Sequence, residues 1–452
     1  MWQRAGRCGA VAPSAESNTW GDAMQDNVEA ETRAVVWASA VGTVIEWYDF
    51  ALYGAAAALI INRQFFPNVD PMIGTLAAFA TFAVGFVARP LGGFIVGHIG
   101  DRIGRKPALI FTVAVMGVST VLIGLTPNYE SIGIWAPVLL VVFRLAQGFG
   151  AGAELAGAIA YVSEYTPRNR RAFFTSIPNA ATAAGLVLAV GGFALMRAAF
   201  GEEAFIAWGW RVPFIASIAI LGVALFIRQR LRESPSFEQA KSKVGESRRL
   251  PLADVVRERG RDMFLGFLSV TGHNANAYLL NAFALSYITV TLQLGAQLAL
   301  TALLVAATVG VVTTPLFGRL ADRFGRKPVF IFGAVFNALY VVPLFFLLQT
   351  GNPMLVVFAV AAGFAIGFGA TSGAQAAFLA ELFETRYRYT GIAVTREMNG
   401  VLIAGPTPFI ATALVAAAGG QPWLVAAYVI ACQVLTIVGV ALAREAPNGG
   451  GA

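Results

Sequence analysis

Histidine and cysteine are almost absent from this sequence, which holds two of each among 452 residues. Metal sites draw largely on clusters of these residue types, so their scarcity argues against a metal centre. Cys8 lies in a polar N-terminal tail and Cys432 in the last apolar segment, and their expected separation argues against a disulfide. The sequence also lacks the G-x-x-x-x-G-K-[ST] loop that binds nucleotide phosphates. We expect no metal, no cofactor and no enzymatic activity.

Charged residues are also few, at 13% of the chain against 57% hydrophobic residues. A water-soluble protein of this length needs more charge to cover its surface, so the composition indicates a polytopic membrane protein embedded in a lipid bilayer. The net charge of +7 does not indicate nucleic acid binding, because the basic residues occupy short loops between apolar runs.

Twelve apolar runs of about 20 residues or more follow one another along the chain, which predicts an all-α membrane protein with twelve transmembrane helices. The runs are 34–61, 73–97, 108–126, 135–162, 173–196, 210–228, 264–291, 297–317, 329–349, 353–379, 391–417 and 421–443. The longest polar interval falls midway and separates six runs from six. The predicted organisation is a disordered tail (1–33), a six-helix bundle (34–228), a linker (229–263), a second six-helix bundle (264–443) and a short tail (444–452).

Lysine and arginine are concentrated in the loops that follow the even-numbered runs. The loop after the sixth run holds ten of the 32 basic residues, whereas the loops on the other side hold Arg63 and Arg197 and little else. Cytoplasmic loops of membrane proteins carry this excess of positive charge. We therefore expect a multi-pass protein of the plasma (inner) membrane, with the even-numbered loops and both termini in the cytoplasm.

One loop sequence occurs twice. Residues 97–107 read GHIGDRIGRKP and residues 318–328 read GRLADRFGRKP, so seven of the eleven positions are identical. Each copy lies between the second and third run of its half, which indicates that the two halves arose by duplication. Asp101 and Asp322 are able to cap a helix start or to pair with a neighbouring arginine.

The doubled G-x-x-x-D-R-x-G-R-K loop resembles the signature of the major facilitator superfamily, and RLAQGFGAGAE at 144–154 is similar to that family's fourth-span motif. The stretches EWYDFALYG, WGWRVPF and ELFETRYRYTG resemble the metabolite:proton symporter branch, which includes permeases for shikimate, α-ketoglutarate, citrate and proline/betaine. The resemblance implies two six-helix bundles that enclose a substrate site at mid-membrane. It also implies that the partners are a small-molecule substrate and protons, and we expect a monomer.

Two acids, Glu46 and Asp49, lie inside the first apolar run, where an isolated charge costs on the order of 3 kcal/mol. Their spacing of three places both on one face of a helix, with Glu46 roughly 18 Å from the inner membrane face at 1.5 Å per residue and Asp49 one turn further. Arg144 in the fourth run lies at a similar depth, so we predict that it pairs with one of them. We favour Glu46 as the partner of Arg144 and Asp49 as the proton carrier. A static salt bridge between the first and fourth spans is the alternative.

Polar residues in the seventh run predict one wall of the substrate site. Asn274, Tyr278 and Asn281 follow the spacing i, i+4 and i+7 of one helical face, with His273 beside them. Gln375, with Thr371 and Ser372, offers similar groups in the tenth run. The candidate substrate ligands are Arg144, Gln147, Tyr48, His273, Asn274, Tyr278, Asn281 and Gln375.

A cytoplasmic gate is predicted around the repeated loops, where acidic and basic side chains converge. The candidate gate residues are Asp101, Arg102, Arg105, Glu154, Asp322, Arg323 and Arg326. Gly148, Gly150 and Gly152 in the fourth run are expected to permit close helix packing. Arg89 is assigned to the inner face or the gate. The roles of Arg396 and Glu397 are left open, with substrate binding by Arg396 among the alternatives.

The predicted function is proton-coupled uptake of a small organic acid, such as shikimate or a di- or tricarboxylate, by alternating access. Two alternatives stay open: uptake of a zwitterionic osmolyte such as proline or betaine, for which Trp47 and Tyr48 would supply cation–π contacts, and proton-coupled export of a drug or metabolite.

Overall fold

The computed structural model describes residues 16–103, 105–152, 154–230, 252–384 and 387–444. Over these ranges the chain consists of helices and the turns that join them, and it forms no β-strand. Twelve principal helices, α1 to α12, are present in the described ranges, and each matches one of the predicted apolar runs. The first six make up the N-terminal half and the last six make up the C-terminal half.

The helices of the N-terminal half are joined by short connections, and the one between α3 and α4 contains a single turn of helix. Their bounds are Glu16–Ala56 (α1, continued by Ala57–Ile61 and Asn62–Phe65), Pro71–Ile103 (α2), Arg105–Leu125 (α3), Trp135–Ala151 with Glu154–Tyr165 (α4), Arg171–Ala204 (α5) and Arg211–Arg230 (α6).

The helices of the C-terminal half repeat this arrangement. Their bounds are Leu252–Tyr278 (α7, continued by Leu279–Phe283, Ala284–Ser286 and Tyr287–Thr291), Ala296–Phe324 (α8), Arg326–Gln349 (α9), Pro353–Ala362 with Gly363–Phe368 and Gly369–Leu382 (α10), Arg388–Asn399 with Gly400–Ala404 and Thr407–Ala417 (α11) and Trp423–Leu442 (α12).

The structure differs from the predicted boundaries at two places. α1 begins at Glu16, so residues 16–33 of the predicted disordered tail are helical, and α7 begins at Leu252 inside the predicted linker. Neither extension contains proline, and each includes residues that favour helix, such as three glutamates in 16–33 and three arginines in 252–263, so the helices continue beyond their apolar parts. Residues 1–15 and 231–251, the rest of these two segments, lie outside the described residues.

Length and composition suit most of these helices to a bilayer. Within the described ranges, eight segments are long and apolar enough to cross a membrane, and three further apolar helices, Ile110–Leu125, Trp135–Ala151 and Arg211–Phe226, are shorter. α7 belongs to neither group, and its middle carries His273, Asn274 and Asn276. A polar helix of this kind is expected to face the interior of a bundle, away from lipid.

The repeated sequences 97–107 and 318–328 fall at equivalent ends of α2 and α8. We call this end of the molecule the motif end and the opposite end the far end. The two halves meet along α5 and α8, where α5 also contacts α10, and along α2 and α11 on the other side. The interior between these two seams is therefore bounded by helices from both halves.

Glycines bring α2 and α4 into backbone contact. A methyl group at Gly148 would overlap the carbonyl oxygen of Gly85, and one at Gly152 would overlap the carbonyl oxygen of Arg89. Gly150 also lies close to the backbone of α3, where a methyl group would come 2.7 Å from the carbonyl oxygen of Thr112. The predicted packing role of these three α4 glycines is confirmed. The close approach also fixes the positions from which Arg89 and Arg144 extend.

Replacement of Gly148 by valine is expected to destabilise the protein by roughly 3 kcal/mol or more, because the overlapping Gly85 atoms belong to a helix backbone that cannot rotate away. Thermal unfolding of the purified protein in detergent measures the effect. Gly222→Ala is the matched control, since a Cβ there meets no atom within 4 Å. Equal unfolding temperatures for Gly148→Val and the wild type would contradict the proposed backbone contact.

A candidate substrate cavity and the charges around it

A small, partly open cavity lies between the two halves. Its walls come from α1 and α5 of the N-terminal half and from α7, α10 and α11 of the C-terminal half. The polar residues on its walls are Asn179, Thr182, His273, Asn274, Asn281, Ser372, Gln375 and Arg396.

Aromatic rings supply much of the remaining wall. Trp47, Tyr278, Phe364 and Phe368 line the cavity, and the ring centroids of Trp47 and Tyr278 are 6.3 Å apart. An adjoining, more apolar space extends towards Phe82 on α2 and shares Trp47 and Tyr278 with the first. The two spaces together offer a ring-shaped or branched small molecule both polar and flat apolar surfaces.

Three buried polar atoms of the cavity walls have no hydrogen-bond partner within the described part of the chain. They are the indole Nε1 of Trp47, the amide Nε2 of Gln375 and the carbonyl oxygen Oδ1 of Asn281. Folded proteins pair nearly all of their buried polar atoms, so unpaired ones deserve an explanation. Their position on a cavity wall suits them to a bound molecule.

The structure brings five of the predicted substrate ligands to the cavity: His273, Asn274, Tyr278, Asn281 and Gln375. Two of them also hold neighbouring helices, since the His273 ring nitrogen Nδ1 lies 2.8 Å from the Thr371 hydroxyl and the Asn274 amide donates to Asn399. That these residues bind substrate stays a prediction.

The other three predicted ligands, Arg144, Gln147 and Tyr48, do not line the cavity. The Tyr48 hydroxyl donates to the backbone oxygen of Pro213 at 2.8 Å, which joins α1 to α6. The Gln147 side chain is fully buried between the Arg144 guanidinium and the Thr120 hydroxyl. These side chains point into helix contacts within the N-terminal half, which sequence spacing alone does not specify.

The predicted pairing of Arg144 with Glu46 or Asp49 is wrong in this structure. In the described residues no carboxylate oxygen lies within 4.0 Å of the Arg144 guanidinium, which instead stacks on aromatic rings one turn further along α1. Its carbon Cζ is 4.3 Å from the ring centroid of Phe50 and 4.5 Å from that of Tyr53. Cation–π contacts of this kind hold an arginine without an acidic partner.

Glu46 pairs with a different arginine. The Arg89 guanidinium lies 3.0 Å from a Glu46 oxygen and 2.9 Å from a Glu397 oxygen, and all three side chains are largely buried. Glu46 and Arg89 belong to the N-terminal half and Glu397 to the C-terminal half, so this ion pair joins the two halves. In the sequence, the only sign of this ion pair was the presence of charged residues at 89 and 397 inside apolar helices. Their depths in the membrane did not show that they meet.

Asp49 is only 2% exposed. It lies next to the Thr120 hydroxyl, and its oxygen Oδ1 has no hydrogen-bond partner in the described residues. No arginine, lysine or histidine nitrogen of those residues lies within 4.0 Å of this carboxyl group. The two acids of α1 therefore occupy different environments, because Glu46 faces Arg89 and Asp49 does not.

Hydrogen bonds, and a longer ion pair of 3.8 Å between Arg171 and Glu381, also join the two halves at the motif end. The Asp322 carboxylate accepts hydrogen bonds of 2.9 Å from the backbone N–H groups of Ala172 and Phe173, the first turn of α5. Arg326 lies 3.2 Å from Asp322 and 3.3 Å from Glu381. A carboxylate at a helix N-terminus is stabilised by the free N–H groups and the helix dipole. These contacts therefore tie α8 and α9 to the start of α5 and to α10 at the motif end.

The other predicted gate residues take no part that the structure describes. The Arg323 guanidinium lies over the ring of its neighbour Phe324. The side chains of Asp101, Arg102, Arg105 and Glu154 lie outside the described residues, so their gate role stays a prediction.

Sequence reasoning missed two polar residues of the cavity, Asn179 and Thr182 on α5. The Asn179 amide donates to the Ser372 backbone oxygen at 2.8 Å, a further contact between the halves. Polar residues three or four positions apart in this run (Thr175, Ser176, Asn179 and Thr182) were the available signal. Trp47 was considered only for a zwitterionic substrate, and Arg396 was left without a role.

Comparison with known proteins decides the family. The model of the Major Facilitator Superfamily matches residues 39–406 and 274–449. The chain belongs to the Major Facilitator Superfamily. Its fold is that of twelve transmembrane helices in two six-helix bundles, and it is a multi-pass membrane transporter.

Several transport proteins are similar to this chain over most of their length. The shikimate transporter of Escherichia coli (strain K12) is 38% identical over 418 residues, which cover 92% of this chain and 95% of the relative. An inner membrane metabolite transport protein of the same organism is 36% identical over 416 residues, covering 91% and 94%. The proline/betaine transporter of Salmonella typhimurium is 34% identical over 421 residues, covering 91% and 83%.

Solved structures agree on the fold. The xylose transporter XylE from E. coli, in a partially occluded inward open conformation, superposes with a TM-score of 0.70 at 15% identity and covers 93% of this chain and 99% of its own. A D-xylose-proton symporter superposes with a TM-score of 0.71 at 19% identity, covering 92% and 99%. At these identities the similarity concerns the fold alone.

Proposed function

We propose that this transporter carries a small organic acid into the cell together with a proton. The observation that carries the proposal is the cavity between the halves, which presents the cationic side chain of Arg396 and, among the described residues, no acidic side chain. An anionic molecule is the complement of such a wall. The similarity to a shikimate transporter supports the same substrate class.

Asp49 is the proposed proton-binding group. Its carboxyl group is buried without a cationic partner in the described residues, whereas Glu46 is held by Arg89. Removing an unpaired carboxylate from water is costly, so a proton on Asp49 relieves that cost more than a proton on the paired Glu46 would. Asp49 also lies on α1, two residues from the cavity-lining Trp47.

The motif end is proposed to face the cytoplasm, with both termini on that side, because lysine and arginine are concentrated in the loops of this end. We also propose that the protein lies in the plasma (inner) membrane and works as a monomer. Opening towards the cytoplasm requires separation of Arg89 from Glu397 and of Asp322 from the start of α5. Alternating access then exposes the cavity to one side at a time.

Uptake of a zwitterionic osmolyte is the second candidate. The aromatic residues Trp47, Tyr278, Phe364 and Phe368 on the cavity wall are suited to a quaternary ammonium group, while Arg396 would hold the carboxylate. The similarity to proline/betaine transporters favours this candidate as well.

Purified protein in liposomes that contain a pH-sensitive dye tests the proposal. Shikimate, α-ketoglutarate, citrate, proline and betaine are added one at a time, and we expect internal acidification with an organic acid. Acidification with proline or betaine only would favour the second candidate. The absence of a signal with all five compounds, in vesicles shown to be tight, would reject uptake by proton symport and favour export. Export would be detected as the loss of a compound from cells that express the protein.

A further inference from the structure

Arg396 contributes the one charged side chain of the cavity wall among the described residues. Its guanidinium donates to the Gln375 carbonyl oxygen at 3.1 Å, the one hydrogen bond it makes in that part of the chain. A guanidinium carries five N–H donors in a planar fork, so most of them stay available. Arg396 is followed directly by Glu397, which Arg89 holds, so the backbone that carries the guanidinium is tied to the N-terminal half.

Two more donors of the same wall are unused. The Gln375 side chain is 1% exposed, and its amide nitrogen has no partner in the described residues. The Trp47 indole nitrogen, on the opposite half, is likewise unpaired. A buried donor without a partner is costly, and a carboxylate, which accepts hydrogen bonds only, would satisfy donors from both halves.

Asn281 offers the opposite chemistry. Its carbonyl oxygen lines the cavity and lacks a partner in the described residues. A hydroxyl group is able to donate to this oxygen, whereas the methyl groups of a quaternary ammonium compound are not. The wall therefore suits a molecule that has both a carboxylate and hydroxyl groups.

The charged side chains near the cavity limit the net charge that a bound substrate can bring. Within the described residues, three arginines (Arg89, Arg144 and Arg396) and three acids (Glu46, Asp49 and Glu397) are buried or partly buried there, and we call them the central charges. The set is balanced when all six are ionised. The titratable side chains on the cavity wall are His273 and Tyr278, and a protonated His273 would repel Arg396 beside it. We therefore count His273 as neutral, and we also count the Tyr278 phenol as neutral.

We propose that Arg396, Gln375 and Trp47 bind the carboxylate of a hydroxylated monocarboxylic acid, which crosses the membrane with one proton. The inference rests on the proposed function and narrows it. A single negative charge added to the balanced set is offset by one proton on a central acid. A dicarboxylate would bring a second negative charge to a wall that has one arginine.

Binding to purified protein tests the carboxylate site. The probes are shikimate (a hydroxylated monocarboxylate), benzoate (no hydroxyl), α-ketoglutarate (a dicarboxylate) and glycine betaine (a zwitterion), each measured by calorimetry. We expect shikimate to bind most tightly and Arg396→Gln to weaken it about 10- to 100-fold, the range for a hydrogen bond to a charged group. Tighter binding of α-ketoglutarate or betaine, or no binding by either monocarboxylate, would overturn the inference.

Three further variants separate binding from folding. Arg396→Lys keeps the charge but loses the planar fork, so we expect an intermediate affinity. Trp47→Phe keeps an aromatic ring, smaller than the indole, and removes the N–H group, and we expect it to weaken shikimate binding several-fold. Arg63→Gln, exposed at the end of α1, is the control and is expected to bind as the wild type does. Unchanged affinity in both Arg396→Gln and Trp47→Phe would refute the proposed site.

Transport under a controlled membrane potential tests the charge balance. A monocarboxylate that moves with one proton carries no net charge, so its uptake in proteoliposomes should not depend on a potassium diffusion potential. Acidification that depends on this potential, or that persists unchanged in Arg396→Gln, would overturn the inference while leaving proton symport intact. Tight shikimate binding with no acidification under any gradient would reject the proposed function and leave the carboxylate site standing.

Discussion

Replacement of Asp49 by asparagine is expected to abolish accumulation of substrate against its gradient while leaving exchange between equal concentrations. Asparagine has almost the same shape and still reaches the Thr120 hydroxyl, but it cannot take up a proton. At one proton per monocarboxylate, a pH difference of one unit drives roughly tenfold accumulation, because 1.36 kcal/mol corresponds to a factor of ten. The variant should reach an internal to external ratio of about one.

Radiolabelled substrate in proteoliposomes gives both quantities, net accumulation under a pH gradient and exchange without one. Glu203→Gln is the control, because it removes an exposed carboxylate in the last turn of α5. Accumulation by Asp49→Asn equal to that of the wild type would show that Asp49 is not the proton carrier. Glu46 would then be the next acid to test.

The second large effect is expected at Arg89. Arg89→Gln leaves Glu46 and Glu397 facing each other in a buried site without the guanidinium that holds both. Breaking a buried ion pair by removing one partner destabilises a protein by about 3–5 kcal/mol, so we expect a comparable fall in the free energy of unfolding. We also expect most transport activity to be lost, because the two halves are no longer held together at this point.

A double-mutant cycle separates the pair from its surroundings. Arg89→Gln combined with Glu397→Gln removes one of the two uncompensated charges, so the double variant should recover part of the stability that Arg89→Gln loses. Arg197→Gln is the control, since it breaks an ion pair of 2.7 Å whose partner, Glu202, is 56% exposed, and exposed pairs contribute at most about 1 kcal/mol. Additive losses in the double variant would argue against a coupled Arg89–Glu397 pair.

Most of the fold could be predicted because membrane helices are visible in the sequence as long apolar runs. The twelve apolar runs match α1 to α12, and the repeated loop sequences 97–107 and 318–328 fall at equivalent ends of α2 and α8. The two differing boundaries, at Glu16 and Leu252, are places where a helix continues into polar sequence. Hydropathy marks where a helix meets lipid, and it does not mark where the backbone stops being helical.

The candidate site could be predicted only in part. Periodicity brought Asn274, Tyr278 and Asn281 to one face of α7, and all three line the cavity. Depth in the membrane put Arg144 at the level of the acids of α1, but it carried no information on which way each helix turns. The tightest contacts, such as that of Gly148 with Gly85, set that rotation and turn Arg144 towards aromatic rings.

The sequence by itself determined that this protein spans a membrane twelve times, that its halves are repeats, and that charges are buried within it. These properties follow from local composition and spacing, because every membrane helix satisfies its own backbone hydrogen bonds. Only the tertiary structure decided which charges meet. Glu46 pairs with Arg89 because the packing of the helices decides which of several arginines at similar depth comes within a few ångströms. The same packing brings Arg89 to Glu397, which lies 308 residues further along the chain.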